Sequence, residues 1–287
     1  MQTPPILYKY YSADTFVEIL KNHCIKMESL HNYNDALELY PSYGGEKIPM
    51  ASEDMINKII ENIPSSKMNS EEDMFHYIVS KIFDCYNFEY QGQEDILTQA
   101  KFLSKAETPF IMAEYIRRCT LCSCFSESPL IDLMWAHYAN KHMGVCIGFS
   151  TDLLSNCALK KIEYQDERVD VKLFEAKGRK AIAYTKGMHW AYEQEWRFLH
   201  AFNIPVEFIS DQELNYKDFS KIKIENGYMF AKSFSWNDVR EIYLGCRLPT
   251  SIMEDVKTSL IQYKDIKYYQ VVPDNRRFAL IKKEIKF

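Results

Sequence analysis

The chain has 287 residues, of which 47% are hydrophobic and 14% aromatic, so it can bury a sizeable core as one large domain or two small ones. Its 35 basic and 40 acidic side chains give a net charge of -5, which does not favour a nucleic-acid coat or an anionic-membrane binder. With 9 glycines and 10 prolines, it lacks the composition of a disordered or low-complexity chain.

The N-terminal sequence MQTPPILYKYY has no positively charged segment followed by a long apolar one. No window approaches the roughly 18 apolar residues that span a bilayer. We therefore expect a cytoplasmic protein with no membrane partner. In that compartment the 8 cysteines, which lack the spacing of a disulfide framework, should be reduced and mostly buried.

Short elements are predicted for the first thirty residues. Strands at 6–10 and 24–30 flank a helix over 12–22, in which Phe16, Ile19 and Leu20 recur at helical spacing. From 52 to 118 the pattern is helical, with a capping signal at 70–73. This stretch predicts a helical insertion, or a lobe packed on the main sheet.

The middle of the chain, 119–149, predicts a strand, a helix and a second strand. The helix should begin at Ser128 and Pro129, because serine is a favoured N-cap and proline is favoured at the first helical position. A charged helix is predicted near 166–186 and a strand over 194–202. Toward the C-terminus we expect a helix capped by Ser251 and Glu254, with strands at 240–245, 266–272 and 276–283.

These strands and helices do not alternate regularly, which favours an α+β fold over a parallel α/β one. We expect a single α+β domain over 1–287, with a mostly antiparallel, twisted or split sheet and flanking helices. The region 52–118 would be a helical insertion or lobe within that domain. No internal repeat or linker indicates a second domain.

Metal sites are the first chemistry considered, because no dinucleotide fingerprint, P-loop, HExxH or GxSxG motif occurs. Only one CxxC pair is present, so we interpret the cysteines as structural and expect no metal. A metal-dependent nuclease built on Asp166 or Asp170 is a further alternative, although the spacing of the apolar residues around them favours the solvated face of a helix. The two sets of candidate ligands are Cys119, Cys122, Cys124, His137, His142 and Cys146 for zinc, and Asp166, Asp170, Glu175 and Lys177 for the nuclease.

The run YEQEWRF at 192–198 holds two carboxylates one residue apart. As a strand it would place Glu193, Glu195 and Arg197 on one face and the aromatic side chains on the other. One interpretation is a structural acidic-basic stripe. The other is a cleft in which one carboxylate stabilises a sugar oxocarbenium ion and the second orients or deprotonates a nucleophile.

The segment WAHYANKH at 135–142 predicts a helix that fits either interpretation. Trp135 and Tyr138 are typical of a core face, and His137 is typical of a hydrogen-bonded buried histidine. All three are also candidates for lining a site.

The order of motifs resembles the bacterial domain-of-unknown-function family 2971. The motifs are LYKYYS at 7–12, NYNDALE at 32–38, CFSE at 124–127, LMWAHYANKHMGVCIGF at 133–149, WAYEQEWRF at 190–198 and EIYLG at 241–245. The family's usual Asn-Asp-Pro-Phe-Glu is here Asn34-Asp35-Ala36-Leu37-Glu38, which lacks the stiffening proline. Asn34 and Asp35 are candidates for lining a site because they belong to this motif, and the missing proline makes their loop less rigid.

The motif order is also similar, more distantly, to that of ADP-ribosyltransferases. That resemblance implies an aromatic-basic first strand that meets NAD, an aromatic-Ser strand in the middle, and a late Glu-x-Glu. Glu195 would grip the nicotinamide ribose and stabilise the oxocarbenium ion, with Glu193 as its partner. The implied cofactor-binding residues are Tyr8, Lys9, Tyr10, Phe125 and Ser126.

Two main hypotheses follow. The first is an NAD-using ADP-ribosyltransferase or NAD glycohydrolase of a bacterial toxin or phage-defence system, with an unknown protein or nucleic-acid acceptor and a cognate partner. The second is a non-catalytic binding or sensing module in which the Glu-x-Glu-Trp-Arg block, including Arg197, is structural. The enzyme hypothesis requires Glu195, Ser126 and the Tyr8–Tyr10 strand to surround one cavity.

Overall fold

The computed structural model describes residues 2–33, 35, 38–39, 117–154, 158–169, 181–202, 206, 209–211, 214, 219–224 and 227–287. The predicted helical region at 52–118 therefore lies outside the described residues, apart from 117 and 118. Asn34 and most of the predicted helix at 166–186 also lie outside them.

Thirteen strands and three α-helices have both ends within the described residues, and short 3-10 turns join several of them. The helices are α1 (Ala13–Asn22), α2 (Asp132–Tyr138) and α3 (Thr250–Leu260). The strands are β1 (Ile6–Tyr11), β2 (Cys24–Ser29), β3 (Thr120–Ser126), β4 (Val145–Ser150), β5 (Ala158–Lys161), β6 (Glu163–Gln165), β7 (Thr185–Gly187), β8 (Glu195–Ala201), β9 (Phe219–Ile224), β10 (Gly227–Ser233), β11 (Val239–Leu244), β12 (Lys267–Pro273) and β13 (Leu280–Ile285).

Eleven of these strands form one sheet in the order β13-β12-β11-β4-β1-β3-β2-β10-β9, with β8 added to β3 and β5 added to β8. The described pairings in this sheet are antiparallel except for β11 with β12. Strands β6 and β7 form a separate parallel pair. The α+β class and the largely antiparallel sheet are thus confirmed.

The sheet is split beside β3. Strand β1 pairs with β3 at one position, Tyr8 with Ser126, and β2 pairs with β3 four and five residues earlier in β3, at Cys122 and Leu121. Between these contacts, one edge of β3 faces neither strand. The Lys9 ammonium donates to the Cys124 carbonyl oxygen at 2.9 Å, which satisfies a backbone acceptor that the split leaves exposed.

Each face of the sheet is covered by helices. The larger core packs α1 and α3 against one face, where Phe16 and Val256 meet the apolar side chains of β1 and β4. Helix α2 covers the opposite face, where Trp135 packs on Tyr10 and Tyr243. Every residue of β4 is buried because both of its faces are covered.

The prediction that a helix begins at Ser128 and Pro129 is wrong, since α2 begins at Asp132. Other hydrogen bonds hold the preceding residues in a turn. The Ser128 hydroxyl accepts from the Leu130 N–H, and its carbonyl oxygen accepts from the Tyr10 hydroxyl. Such local side-chain bonds compete with helix formation.

The predicted cap of the C-terminal helix is also wrong, because α3 begins at Thr250, after Pro249, with no side-chain cap. The last strand begins at Leu280 rather than at 276, because the Asp274 carboxylate accepts the N–H groups of Arg276 and Arg277 and holds them in a turn. At the C-terminal end of the helix predicted near 166–186, residues 185 and 186 belong to strand β7 instead.

Candidate functional site

A cavity of about 930 Å³ lies along the split in the sheet. Consecutive residues of β1 and of β3 line it, which shows that strand edges, rather than one face of the sheet, form its wall. The lining residues include Tyr8, Lys9, Tyr10, Tyr11, Ser12, Thr15, Lys26, Glu28, Tyr33, Asp35, Glu38, Cys122, Ser123, Cys124, Phe125, Ser126, Met134, His137, Tyr138, Lys186, Trp190, Glu193 and Glu195.

The three motifs that the enzyme hypothesis requires meet at one position. Tyr8 of β1 is the Cα partner of Ser126 of β3, and Ser126 is the Cα partner of Glu195 of β8. Directly opposed residues of antiparallel strands point to the same face. Tyr8, Ser126 and Glu195 therefore form a row across three adjacent strands at the cavity wall.

Glu195 is buried and engaged on both carboxylate oxygens. Its Oε1 accepts from Arg197 Nε at 2.7 Å, and its Oε2 lies 3.1 Å from Lys186 Nζ. Arg197 is 0% exposed and does not line the cavity, so its predicted place as a site-lining residue is wrong. It also donates to the Ala183 carbonyl oxygen and pairs with Glu38, which makes it a support behind the wall.

Glu193 reaches the same cluster from outside the strand. It ends a 3-10 turn, Met188–Glu193, and Gln194 then adopts a left-handed conformation with φ of 49° before β8 begins. The strand predicted over 194–202 is Glu195–Ala201, so Glu193 does not share a strand face with Glu195 as the YEQEWRF pattern suggested. The Ser126 hydroxyl donates to the Glu193 carbonyl oxygen at 2.7 Å and fixes the turn against β3.

Lys186 is the residue at the centre of this cluster. Its ammonium donates to Glu193 Oε2 at 2.6 Å and to Glu195 Oε2 at 3.1 Å, and it lies 4.8 Å from the centroid of the Trp190 ring. Burial alone would lower the pKa of Lys186, but the two carboxylates outweigh it and raise that pKa well above its ordinary value. No motif or spacing singled out Lys186, because it reaches the site from the separate strand β7.

The cluster carries an excess of negative charge. Three buried carboxylates, Glu38, Glu193 and Glu195, share two buried cations, Lys186 and Arg197, which leaves a net charge of -1 when all are ionised. Burial raises the pKa of the Glu195 carboxyl, and Lys186 counteracts only part of that shift. This end of the cavity favours a cationic group.

The Tyr8 ring is held at the cavity by the neighbouring strands. Its hydroxyl and that of Tyr243 both donate to Glu241 Oε2 at 2.8 Å. Gly148 lies under the ring, where a Cβ atom would come within 2.9 Å of Tyr8 Cε1. The Lys282 ammonium donates to the Tyr243 hydroxyl at 2.9 Å and extends this network.

The other predicted residues of β1 and β3 contact both the cavity and the core. Tyr10 donates to the Ser128 carbonyl oxygen and packs edge-on against Trp135, with ring centroids 5.4 Å apart. Phe125 touches the cavity but is 2% exposed and packs in the core beside Phe149. Phe125 therefore belongs both to the cavity wall and to the apolar core.

The residues of α2 divide between core and cavity. Trp135 is fully buried, donates to the Pro129 carbonyl oxygen and does not line the cavity, so its predicted site role is wrong. His137 and Tyr138 both line the cavity, and Tyr138 donates to Glu193 Oε1 at 2.8 Å. Asp35 lies on the opposite wall, where its carboxylate accepts from Trp190 Nε1 at 2.7 Å.

Within the described ranges, no group of three or more His, Cys, Asp or Glu side chains is arranged to hold a metal ion. The sulfur atoms of Cys122 and Cys124 are 3.8 Å apart, and the described cysteines are free thiols. Among these same residues, no helix is long and apolar enough to cross a membrane.

Residues 134–198 match the model of the family described as "Protein of unknown function (DUF2971)". The matched segment contains most of α2 and the Glu-x-Glu-Trp-Arg block, so the family resemblance predicted from the motifs is confirmed over these residues. No curated protein and no solved structure matches the chain significantly.

Proposed function

We propose that this protein is an NAD-using enzyme that breaks the bond between nicotinamide and ribose and transfers the ADP-ribosyl group to an acceptor or to water. The single observation that carries the proposal is the row of Tyr8, Ser126 and Glu195 on the wall of a cavity of about 930 Å³. A cavity of this size is within the range that small-molecule and cofactor sites occupy.

The charge of the cluster supports this reaction. When the C1′–N bond of NAD breaks, the bonding electrons leave with neutral nicotinamide and the ribosyl carbon becomes cationic. A buried cluster with a net charge of -1 stabilises that cation more than the ground state, since the positive charge moves onto the ribose. Glu195 is the carboxylate that we assign to this role.

Glu193 is assigned to the acceptor. The incoming hydroxyl, or water, attacks the ribosyl carbon and releases a proton, which the Glu193 carboxylate accepts. Tyr138 and Lys186 occupy its two oxygens and fix its orientation. The transfer needs no oxidant, reductant or metal, because the bond to nicotinamide is replaced by a bond to oxygen.

The experiment is turnover of NAD by the purified chain, followed as nicotinamide release and as a mass increment on added acceptors. Glu195→Gln should reduce turnover about 1,000-fold, the range seen when a preorganised electrostatic group is removed. Glu254→Gln, on the exposed face of α3, is the matched control and should turn over as the parent does. A parent without turnover, or a Glu195→Gln variant as active as the parent, overturns the proposal.

A second function is favoured by one observation: both oxygens of Glu195 are already engaged by Lys186 and Arg197. In a non-catalytic binding module this cluster would be a structural support beneath the same cavity. Such a module would bind ligand with no turnover, and Glu195→Gln would alter stability alone. The nuclease alternative depends mainly on residues 170–180, which lie outside the described ranges.

The biological setting belongs to the same proposal. The resemblance to ADP-ribosyltransferases suggests a toxin or defence effector that acts in the bacterial cytoplasm on a protein or nucleic-acid acceptor. A cognate partner would then restrain the activity in the producing cell. Expression of the parent and of Glu195→Gln in bacteria tests this, since only the parent should deplete NAD or arrest growth.

A further inference from the structure

Two buried hydroxyl groups on the cavity wall have no hydrogen-bond partner among the described residues. Tyr11 is 5% exposed and Ser123 is 2% exposed, and both line the cavity. A hydroxyl buried without a partner is destabilising, and most native proteins avoid it. Two of them on one cavity wall indicate that a ligand completes their hydrogen bonds.

The register of the split brings these hydroxyls to opposite sides of one gap. Tyr8 of β1 pairs with Ser126 of β3, and the strands are antiparallel. Extending that register by three residues places Tyr11 opposite Ser123, and extending it by one places Lys9 opposite Phe125. The Lys9 ammonium lies 5.3 Å from the centroid of the Phe125 ring, in agreement with that register.

Lys9 adds a positive charge to the same gap. It lies two residues before Tyr11 and therefore on the same face of β1. An ammonium has three N–H donors, and among the described residues Lys9 uses one of them, on the Cys124 carbonyl oxygen, and forms no salt bridge. Burial lowers the pKa of Lys9, and the nearby Cys124, Cys122 and Glu195 offset only part of that shift.

We propose that Lys9, Tyr11 and Ser123 form a subsite that binds the phosphate oxygens of the ligand. An ammonium and two hydroxyls offer several donors, and phosphate oxygens are strong acceptors that carry the missing negative charge. For the dinucleotide of the proposed function, on which this identification rests, the bound group is the pyrophosphate. The cavity then has two ends, with the cationic nicotinamide ring at the acidic cluster and the phosphates at Lys9.

Binding of ADP-ribose and of adenosine, measured by calorimetry, tests the subsite. The two ligands share a base and a ribose, but adenosine has no phosphate. Tyr11→Phe and Ser123→Ala should each weaken ADP-ribose binding about tenfold, the effect of one lost hydrogen bond to a charged group, and should leave any adenosine binding within about twofold. Unchanged affinity for ADP-ribose in both variants overturns the subsite.

The stability of the ligand-free variants separates a binding role from a structural one. Since neither hydroxyl has a partner among the described residues, Tyr11→Phe and Ser123→Ala should raise or preserve the melting temperature while they weaken binding. Tyr268→Phe is the matched control, because its buried hydroxyl donates to the Leu260 carbonyl oxygen far from the cavity. It should lower the melting temperature and leave binding unchanged.

Inorganic pyrophosphate distinguishes failure of the subsite from failure of the proposed function. It should raise the melting temperature of the parent and not that of the Tyr11→Phe, Ser123→Ala double variant. If pyrophosphate stabilises only the parent but NAD and ADP-ribose do not bind, the subsite stands and the dinucleotide assignment is wrong. If pyrophosphate affects both proteins equally, or neither, the subsite is wrong whatever NAD does.

Discussion

Ser126 donates a hydrogen bond of 2.7 Å from its hydroxyl to the carbonyl oxygen of Glu193. The same hydroxyl accepts from the Ser128 N–H at 3.3 Å. The buried Ser126 side chain thus holds the turn that contains Glu193 against β3, the strand that pairs with β8 at Glu195. Ser126 is therefore a positioning residue for both carboxylates.

Replacing Ser126 with alanine should reduce both stability and NAD turnover. The change leaves the buried Glu193 carbonyl oxygen without its donor, at a cost of about 1–3 kcal/mol in the free energy of unfolding. Turnover should fall further than stability explains, because Glu193 loses its fixed position. Urea melts and nicotinamide release measure the two effects. Ser126→Thr, which keeps the hydroxyl, should recover much of the turnover, and equal losses in both variants would contradict this role.

Glu195→Gln should destabilise the protein by about 3 kcal/mol, because it leaves Lys186 and Arg197 less well paired in a buried site. Glu193→Gln should cost less, since Arg197 keeps both of its carboxylate partners, Glu38 and Glu195. Denaturant unfolding of both variants at neutral pH is the measurement. If Glu193→Gln were the more destabilised variant, the assignment of Glu195 as the centre of the ion-pair cluster would be wrong.

The Lys9 ammonium should make stability depend on alkaline pH. Its folded-state pKa is lowered by burial, below its ordinary value of 10.5, so the folded chain holds this proton less tightly than the unfolded chain. The free energy of unfolding is therefore highest above the pKa of Lys9 in the unfolded chain. It decreases as the pH falls through the lower pKa of Lys9 in the folded chain. Unfolding free energies between about pH 8 and about pH 10 should therefore rise for the parent relative to Lys9→Met.

Lys257→Met, on the exposed surface of α3, is the control for the pH experiment. Its pH dependence should be parallel to that of the parent. If the pH dependence of Lys9→Met were also parallel to that of the parent, the Lys9 ammonium would not be a group whose pKa is lowered by burial.

Trp135→Ala should destabilise the protein by about 3–5 kcal/mol, because a fully buried indole is replaced by a cavity under α2. The variant also loses the hydrogen bond from the indole to the Pro129 carbonyl oxygen. Phe278→Ala is the matched aromatic control, since Phe278 is fully exposed at the turn between β12 and β13. Thermal melts should show a large shift for the first variant and none for the second.

Gly148→Ala should displace the Tyr8 ring from the cavity wall. An added Cβ atom would lie 2.9 Å from Tyr8 Cε1 and 3.0 Å from Ile6 Cγ2, so both side chains must move. Overpacking of this kind costs about 1–3 kcal/mol. Tyr8→Phe keeps the ring and removes only its bond to Glu241. Ligand affinity should fall more in Gly148→Ala than in Tyr8→Phe, and the reverse order would assign binding to the hydroxyl.

Local patterns predicted the elements whose signals lie within a few residues. The helix predicted over 12–22 is α1, which Ser12 caps and in which the buried Phe16 and Ile19 define the inner face. The same reasoning failed at Ser128 and Ser251, where a favourable cap residue was present but other contacts placed the helix start elsewhere. Strands β5, β6 and β7 were not predicted, because strands of three or four residues leave little periodic signal, and the longer β9 and β10 were missed as well.

The candidate site was predicted only in part, because some of its residues lie outside the recognised motifs. Glu195, Ser126, Tyr8 and Glu38 all lie in the family motifs, whereas Lys186 lies in none of them and comes from strand β7, which was not predicted. Trp135 was assigned to the site from a segment whose aromatic side chains are equally typical of core residues, and Phe125 from the resemblance to ADP-ribosyltransferases. Trp135 is fully buried in the core, whereas Phe125, 2% exposed, lies at the cavity wall and packs into the core.

The sequence by itself determined the α+β class, the alternation that puts Glu195 and Arg197 on one face of a strand, and the motifs of the matched family. These features depend on neighbours in sequence, and the two-residue period of a strand is fixed by its backbone. Only the tertiary structure decided which strands lie side by side. The split beside β3, the position of Lys186 between two carboxylates, and the burial of the Tyr11 and Ser123 hydroxyls all depend on which strands pair and in what register. A shift of one residue in that register would turn each of those side chains to the other face.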